Sequence, residues 1–227
     1  MQPVAWPFAH GGAEVCGIVG ILGLPAAAAE VREGLERLEY RGYDSAGFAW
    51  DTGDRVEVTK QVGRVRDLPR NDDKAIQLAI GHTRWATHGG VTRENAHPHL
   101  DETRRFAVVH NGTLSAHHQL RVRIQNAGHT FRSETDTESL VHLYEGHRTA
   151  GKSPIEALQG TLNGLEGSWA FLILDAGADA IAFARHRAPL LIGLAPNGAI
   201  ILASDATAVL KHTKTVVYLS DGDHGVI

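Results

Sequence analysis

Cysteine is almost absent from this chain: Cys16 is the only cysteine among its 227 residues. A single thiol excludes an internal disulfide framework and points to a reducing compartment. Apolar runs long enough to cross a bilayer are also missing. Residues 1–15 have neither the basic start nor the long apolar centre of a secretory signal. We therefore expect a cytoplasmic protein that has no membrane association.

Basic clusters and metal-binding patterns are lacking as well. The net charge is −4 and no run of Lys or Arg occurs, which argues against nucleic acid as a partner. The 14 histidines include the short pairs His97/His99 and His117/His118, but neither pair has a cysteine or carboxylate at a recognisable ligand spacing. We expect no metal centre and interpret the histidines as surface and site residues.

The composition is that of one large globular domain, with 43% hydrophobic and 21% charged residues. Helical patterns cover residues 25–39, 116–127, 136–149 and 153–162. Apolar runs between turn-forming residues predict strands at 16–23, 46–50, 55–62, 78–83, 106–110, 168–175, 180–185, 190–194, 199–203 and 215–219. Strands, then helices, then strands again predict an α+β fold in which helices cover antiparallel sheets.

Three local signals refine these predictions. Asn111-Gly112 is a strong turn signal, so we expect the strand of residues 106–110 to end there. Thr135 and Glu138 have the capping-box spacing for the helix over 136–149, and Ser153 and Glu156 have it for the next helix.

The apolar, glycine-rich run at residues 16–23 leaves two interpretations of Cys16. Free cysteines are usually small buried hydrophobes, and this run alone favours that interpretation. The alternative is a nucleophile presented at the end of a strand. Each polar cluster further along likewise has a structural explanation in isolation: a hairpin turn at Asn111-Gly112, a cation–π pair at Arg84-Trp85, or a helix-start carboxylate at Asp136.

Taken together in order, these clusters closely resemble one family. The segments that carry the resemblance are CGIVGILG (16–23), LEYRGYDSAG (38–47), GHTRWATHG (81–89), NAHPH (95–99), HNG (110–112), SETDTE (133–138) and YLSDGD (218–223). They are similar to the glutaminase domains of the glutamine–fructose-6-phosphate aminotransferase family, which are N-terminal-nucleophile amidotransferases. The resemblance covers essentially everything from Cys16 onwards. It implies a four-layer αββα sandwich of two antiparallel sheets between helical layers.

The resemblance also implies a mechanism. Cys16 would attack the side-chain amide of glutamine, and its own α-amine would be the base, because an α-amine with a pKa of about 7.7–8.0 is partly unprotonated near neutrality. The side chain of Asn111 and the backbone N–H of Gly112 would form the oxyanion hole. No cofactor is implied.

The substrate-binding residues follow from the same resemblance. Arg84 would clamp the α-carboxylate of glutamine, and Asp136 would receive its α-ammonium group. Thr87 and His88 would line the pocket, Trp85 would lie on a loop that closes over glutamine, and Arg41 would lie near the nucleophile.

Residues 1–15 conflict with this mechanism, because an α-amine in a peptide bond cannot act as a base. We therefore divide the chain into an N-terminal extension (1–15), which is a misassigned start or a removed propeptide, and a type 2 glutamine amidotransferase domain (16–227). A false start at Val15 is favoured, because members of the family commonly begin Met-Cys-Gly-Ile.

The expected function is glutamine hydrolysis that supplies ammonia for the synthesis of glucosamine 6-phosphate from fructose 6-phosphate. The expected partner is a sugar-isomerising domain or subunit, and a full-length parent is expected to form a homodimer. Two alternatives stay open: a catalytically silent subunit that binds glutamine, and an amidotransferase domain that serves another amino-sugar pathway.

Overall fold

The structure is a computed structural model that describes residues 16–86 and 89–227. The predicted extension (1–15) and the predicted site residues Thr87 and His88 lie outside the described residues. The twelve strands of the described chain are β1 Gly17–Leu22, β2 Ser45–Asp51, β3 Val56–Val62, β4 Leu78–Arg84, β5 His99–Leu100, β6 Phe106–Leu114, β7 Gly167–Asp175, β8 Ala180–His186, β9 Leu191–Leu194, β10 Ile200–Ala203, β11 Val216–Tyr218 and β12 His224–Val226. The four α-helices described are α1 Ala27–Leu38, α2 His117–Asn126, α3 Glu138–Thr149 and α4 Pro154–Leu162.

The strands form two antiparallel sheets. The first has seven strands in the order β11-β9-β10-β1-β4-β2-β3, and the second has five in the order β12-β8-β7-β6-β5. Strand β1 is central in the first sheet, between β10 and β4. Strand β6 lies between β5 and β7 in the second. The two strands that carry the expected nucleophile and the expected oxyanion hole are therefore interior strands of different sheets.

Three hydrophobic cores join these sheets and helices into four layers. Because side chains alternate across a strand, Ile18 of β1 faces the core between the sheets while Val19 faces the core under α1. A third core packs α3 and α4 against the outer face of the second sheet. Gly20 allows the close approach of the sheets, since a Cβ there would lie 2.6 Å from Leu172 Cδ1. The predicted αββα sandwich is confirmed.

Two local predictions are wrong. Asn111-Gly112 does not turn the chain: β6 continues through both residues to Leu114 and pairs with β7. The capping box at Thr135 does not form, because helix α3 begins at Glu138, whose carboxylate instead accepts hydrogen bonds from the backbone N–H and the hydroxyl of Ser133. The capping box of Ser153 and Glu156 at the start of α4 is confirmed.

The helices are short. The longest helices in the described ranges, α1 and α3, have 12 residues each, and no helix there is long and apolar enough to cross a membrane.

Candidate active site

Cys16 lies immediately before β1. The backbone N–H of Gly17 donates to Thr83 Oγ1 of the neighbouring β4 at 3.1 Å. A Cβ at Gly17 would lie 2.5 Å from that same oxygen, so the close pairing of the two strands requires glycine here. The nucleophile candidate is thus held by a central strand of the first sheet.

The Cys16 sulfur faces the chain that leaves β4. The backbone N–H of Trp85 donates to Sγ at 3.3 Å, and Sγ lies 3.6 Å from the Trp85 carbonyl oxygen. Burial raises the pKa of the Cys16 thiol, and the Trp85 N–H and the positive charges of Arg84 and Arg41 only partly oppose that rise. The thiol is therefore neutral near pH 7, and it needs a base before it can attack an amide.

Asn111 connects the second sheet to Cys16. Its side-chain Nδ2 donates a 2.8 Å hydrogen bond to the carbonyl oxygen of Cys16. An Asn amide has two N–H groups, so the second one is available to a substrate oxygen beside the sulfur. Arg41 Nε also donates to the Cys16 carbonyl oxygen, at 3.3 Å. Arg41 therefore lies beside Cys16.

Gly112 has a backbone that only glycine adopts easily. Its φ is +126°, and a Cβ would come well inside 3.0 Å of the Ser168 main-chain oxygen on β7. Gly112 lines the same cavity as Cys16. The Asn-Gly sequence that suggests a turn thus lies inside a strand, where the Asn111 amide contacts Cys16 and the Gly112 backbone lines the cavity.

Arg84 and Asp136 supply opposite charges to that cavity. Arg84, the last residue of β4, is buried and donates from Nη1 to the Gly90 carbonyl oxygen at 3.2 Å. Burial lowers the pKa of its guanidinium, and the nearby acidic groups Asp44 and Asp136, with Cys16 when it is ionised, oppose that fall. Asp136 precedes α3, and its Oδ2 accepts the backbone N–H of Leu114 at 2.7 Å. The two charges suit the two ends of an amino acid.

Trp85 is half-buried and packs edge-to-face on Tyr43, with ring centroids 5.5 Å apart. Within the described residues its contact with Cys16 is through its backbone. The cavity is lined by Cys16, His82, Arg84, Trp85, His97, His110, Gly112, Thr135, Asp136 and Thr137. The structure thus brings Cys16, Gly112, Arg84, Trp85 and Asp136 together around one cavity.

Sequence reasoning missed three buried histidines at this cavity, of which His82 and His97 line it. His82 and His97 stack with ring centroids 4.1 Å apart, and His97 contacts His99 at 4.7 Å. Burial lowers the pKa of each, that of His82 to about 3. All three lie in the segments GHTRWATHG and NAHPH, so the family motifs already contain these histidines. The spacing of the motifs alone does not show which of their residues are buried.

A second histidine group lies on α3. His142 is buried between Glu145, with Nδ1 3.3 Å from Oε2, and Glu138, with Nε2 3.9 Å from Oε1. His129 adds a contact of 3.4 Å to Glu145. The ligand atoms of His129, His142 and Glu145 lie within 4.8 Å of one another, although the sequence predicts no metal pattern. Direct contacts between the histidine rings and the carboxylate account for this grouping, and we assign it no metal.

Two antiparallel sheets stacked between helical layers are the architecture of the N-terminal-nucleophile hydrolases. A glutamine phosphoribosylpyrophosphate amidotransferase from B. subtilis, solved with ADP and GMP, superposes with a TM-score of 0.74 and 27% sequence identity. The match covers 93% of this chain and 49% of that one. The fold is therefore that of an N-terminal-nucleophile amidotransferase.

The chain belongs to the glutamine amidotransferase domain family, whose sequence model matches residues 70–222. It is 48% identical to the glutamine–fructose-6-phosphate aminotransferase (isomerizing) of Halobacterium salinarum over 92% of this chain and 34% of the relative. The corresponding Streptococcus pyogenes protein is 44% identical over 91% and 35%. The chain spans about a third of the length of these relatives. The family resemblance seen in the sequence is confirmed.

Proposed function

We propose that the chain hydrolyses the side-chain amide of glutamine at Cys16, and that the ammonia serves the synthesis of glucosamine 6-phosphate from fructose 6-phosphate. The observation that carries this proposal is the hydrogen bond from Asn111 Nδ2 to the carbonyl oxygen of Cys16, which puts an amide donor at the residue that bears the thiol. The names of the relatives supply the acceptor. The same relatives support a sugar-isomerising partner that takes up the ammonia.

The first chemical step forms a thioester. The α-amine of Cys16 takes the thiol proton, and the sulfur attacks the side-chain carbonyl carbon of glutamine. The negative charge that develops on the oxygen is stabilised by Asn111 Nδ2–H and the Gly112 N–H. The C–N bond then breaks, and the protonated α-amine gives its proton to the departing nitrogen, which leaves as ammonia. Water hydrolyses the γ-glutamyl thioester to glutamate and frees the thiol.

Substrate orientation rests on the charged pair across the cavity. Arg84 holds the α-carboxylate and Asp136 holds the α-ammonium, so that the side-chain amide extends towards the sulfur. Trp85, Thr87, His88 and Arg41 complete the pocket in this proposal. An Arg fork is suited to bidentate contact with a carboxylate, and this selects an amino acid over a simple amide.

The mechanism requires a free amine at Cys16. We therefore propose that the active form begins at Cys16, with residues 1–15 removed or never translated, and that residues 16–227 are the amidotransferase domain. The strands of both sheets lie at Gly17 and beyond, within the proposed domain. We further propose a cytoplasmic location and, in a longer parent, a homodimer.

The test is an assay of glutamate and ammonia release by the form that begins at Cys16, with Cys16→Ala as the control. Equal amounts of the two products from the parent, and none from the variant, support the proposal. Glutamine binding without turnover would instead favour the silent glutamine-binding subunit. Addition of a separate fructose-6-phosphate-isomerising domain then tests the acceptor, and failure to form glucosamine 6-phosphate would favour another amino-sugar pathway.

A further inference from the structure

His82 makes two hydrogen bonds with one ring nitrogen. His82, on β4 of the first sheet, places Nε2 3.0 Å from the His110 carbonyl oxygen and 3.1 Å from Asn111 Oδ1. His110 and Asn111 both lie on β6 of the second sheet. His82 is buried, with 1% of its surface exposed, so this contact crosses the interface between the sheets without solvent.

These contacts fix both the tautomer of His82 and the orientation of Asn111. A carbonyl oxygen can only accept, so Nε2 must carry the proton that bonds His110. The same N–H then requires an acceptor from Asn111, which places Oδ1 towards His82 and Nδ2 towards Cys16. The 2.8 Å bond from Nδ2 to the Cys16 carbonyl oxygen agrees with that orientation. A reversed amide would turn Oδ1 towards the Cys16 oxygen and repel it.

The surroundings of His82 keep the ring neutral. Nδ1 is buried and, among the described residues, has no hydrogen-bond partner. One ring face stacks on His97, and burial, aided by the charge of Arg84, lowers the pKa of His82 to about 3. The Nε2–H donor therefore does not change with pH over the range in which an α-amine titrates.

We propose that His82 is a positioning residue that holds the Asn111 carboxamide with its N–H groups towards Cys16 and the substrate oxyanion. The inference rests on the proposed function, because the Asn111 orientation matters for catalysis only if a thioester forms at Cys16. The ring hydrogen bonds of His82 go to His110 and Asn111, so in this proposal it acts through Asn111. Without it, only the hydrogen bond to the Cys16 carbonyl oxygen orients the amide, and the reversed orientation would place an oxygen where the oxyanion develops.

The first test does not depend on activity. Long-range ¹H–¹⁵N spectra of the full chain, labelled at histidine and asparagine, should show His82 as the neutral Nε2–H tautomer from pH 5 to 9. The Asn111 side-chain resonances should shift in His82→Phe and return towards the parent positions in His82→Gln, which keeps a donor near the Nε2 position. A protonated or Nδ1–H ring, or Asn111 resonances indifferent to His82→Phe, would overturn the inference.

The second test uses glutaminase kinetics of the form that begins at Cys16. His82→Phe should lower kcat by about tenfold or more, less than the 10²–10³-fold expected when an oxyanion donor is removed outright, and should change the KM for glutamine by less than about twofold. His82→Gln should restore most of kcat. In an Asn111→Ala background, His82→Phe should have almost no further effect on kcat.

The outcomes separate this inference from the proposed function. A parent form without glutaminase activity defeats the proposed function, while the spectra still decide whether His82 orients Asn111. With an active parent, an undiminished kcat in His82→Phe or additive losses in the double variant would overturn the inference. If His82→Phe fails to fold, two measurements decide instead: the tautomer of His82 in the parent and the kinetics of His82→Gln. A charged or Nδ1–H ring in the parent would overturn the inference. So would a kcat of His82→Gln as low as that of Asn111→Ala.

Discussion

The side-chain amide of Asn111 donates a 2.8 Å hydrogen bond to the carbonyl oxygen of Cys16, a residue 95 positions earlier in the chain. Cys16 heads a strand of the first sheet and Asn111 lies within a strand of the second. The bond therefore joins the two sheets at the cavity. Stacking of the sheets is what converts two separate sequence motifs into one site.

Loss of the Asn111 amide should reduce catalysis much more than binding. In Asn111→Ala, the developing oxyanion loses a donor, so kcat should fall about 10²–10³-fold, equivalent to roughly 3–4 kcal/mol, with a small change in KM. Steady-state kinetics on the form that begins at Cys16 check this. Asn126→Ala, on the exposed end of α2, is the control and should retain parent kinetics. A kcat for Asn111→Ala within threefold of the parent would contradict the assignment.

Gly112→Ala should destabilise the fold severely. The new Cβ would overlap the Ser168 main-chain oxygen, and φ of +126° is strained for any residue that has a Cβ. We expect a loss of several kcal/mol or failure to fold. Gly128→Ala is the matched control, because Gly128 also has a positive φ, +104°, but has open space around it. Gly128→Ala should lose only about 1–2 kcal/mol. Equal melting temperatures for Gly112→Ala and Gly128→Ala would contradict the prediction, because they would mean that the contact with the Ser168 oxygen is relieved.

Asp136→Asn should weaken glutamine binding with little change in the chemical step. The substitution keeps an oxygen to accept the Leu114 N–H but removes the charge proposed to face the α-ammonium. A hydrogen bond to a charged group contributes about 1.5–3 kcal/mol, so KM should rise about 10–100-fold while kcat changes by a few-fold at most. Asp221→Asn, an exposed carboxylate that accepts the Arg187 N–H, is the control. A fall in kcat at unchanged KM would remove Asp136 from substrate binding.

His142 should make stability fall as the solution becomes alkaline. Burial alone would lower the pKa of His142, but Glu138 and Glu145 outweigh it and raise that pKa to about 9. Because the folded pKa lies above the ordinary value of about 6.5, the stabilisation is fully present below about pH 6.5 and is lost as the pH rises through about 9. Urea unfolding at pH 6.5 and 9.5 should show a fall in the free energy of unfolding.

His142→Gln serves as the reference for this measurement. Lys60, whose pKa burial lowers to about 8, contributes equally to both chains, so it cancels in the difference. The stability advantage of the parent over His142→Gln should shrink between pH 6.5 and 9.5. An advantage independent of pH would mean that His142 is not charged in the folded protein.

The sequence predicts the layers of the fold correctly and supplies a set of candidate site residues, and particular residues show why. Ile18 and Val19 alternate between two cores, so a short apolar run is enough to predict β1. Cys16, Arg84 and Asp136 come from recognised motifs. The geometry then places them around one cavity, which no spacing along the chain could show.

The failures come from tertiary contacts that override local signals. Asn111-Gly112 is a strong turn pair, but hydrogen bonds between β6 and β7 hold it in a strand. Glu138 has capping-box spacing from Thr135, but the hydroxyl and N–H of Ser133 bind its carboxylate instead. Strands β5 and β12 have two and three residues, which is too short for the alternation of apolar and polar residues that predicts a strand. The role of His82 depends on a contact between sheets, which the sequence does not show.

The central claim is that Cys16 is the nucleophile and that its own α-amine is the base. The most direct test compares glutamate release by the form that begins at Cys16 with release by a form that carries one extra alanine before Cys16. The extra residue keeps the thiol, Asn111 and the substrate pocket, and it removes only the free amine from the cysteine. Because a positioned general base contributes about 10²–10⁴-fold, the extended form should be slower by at least about 100-fold. Equal rates for the two forms would contradict the account.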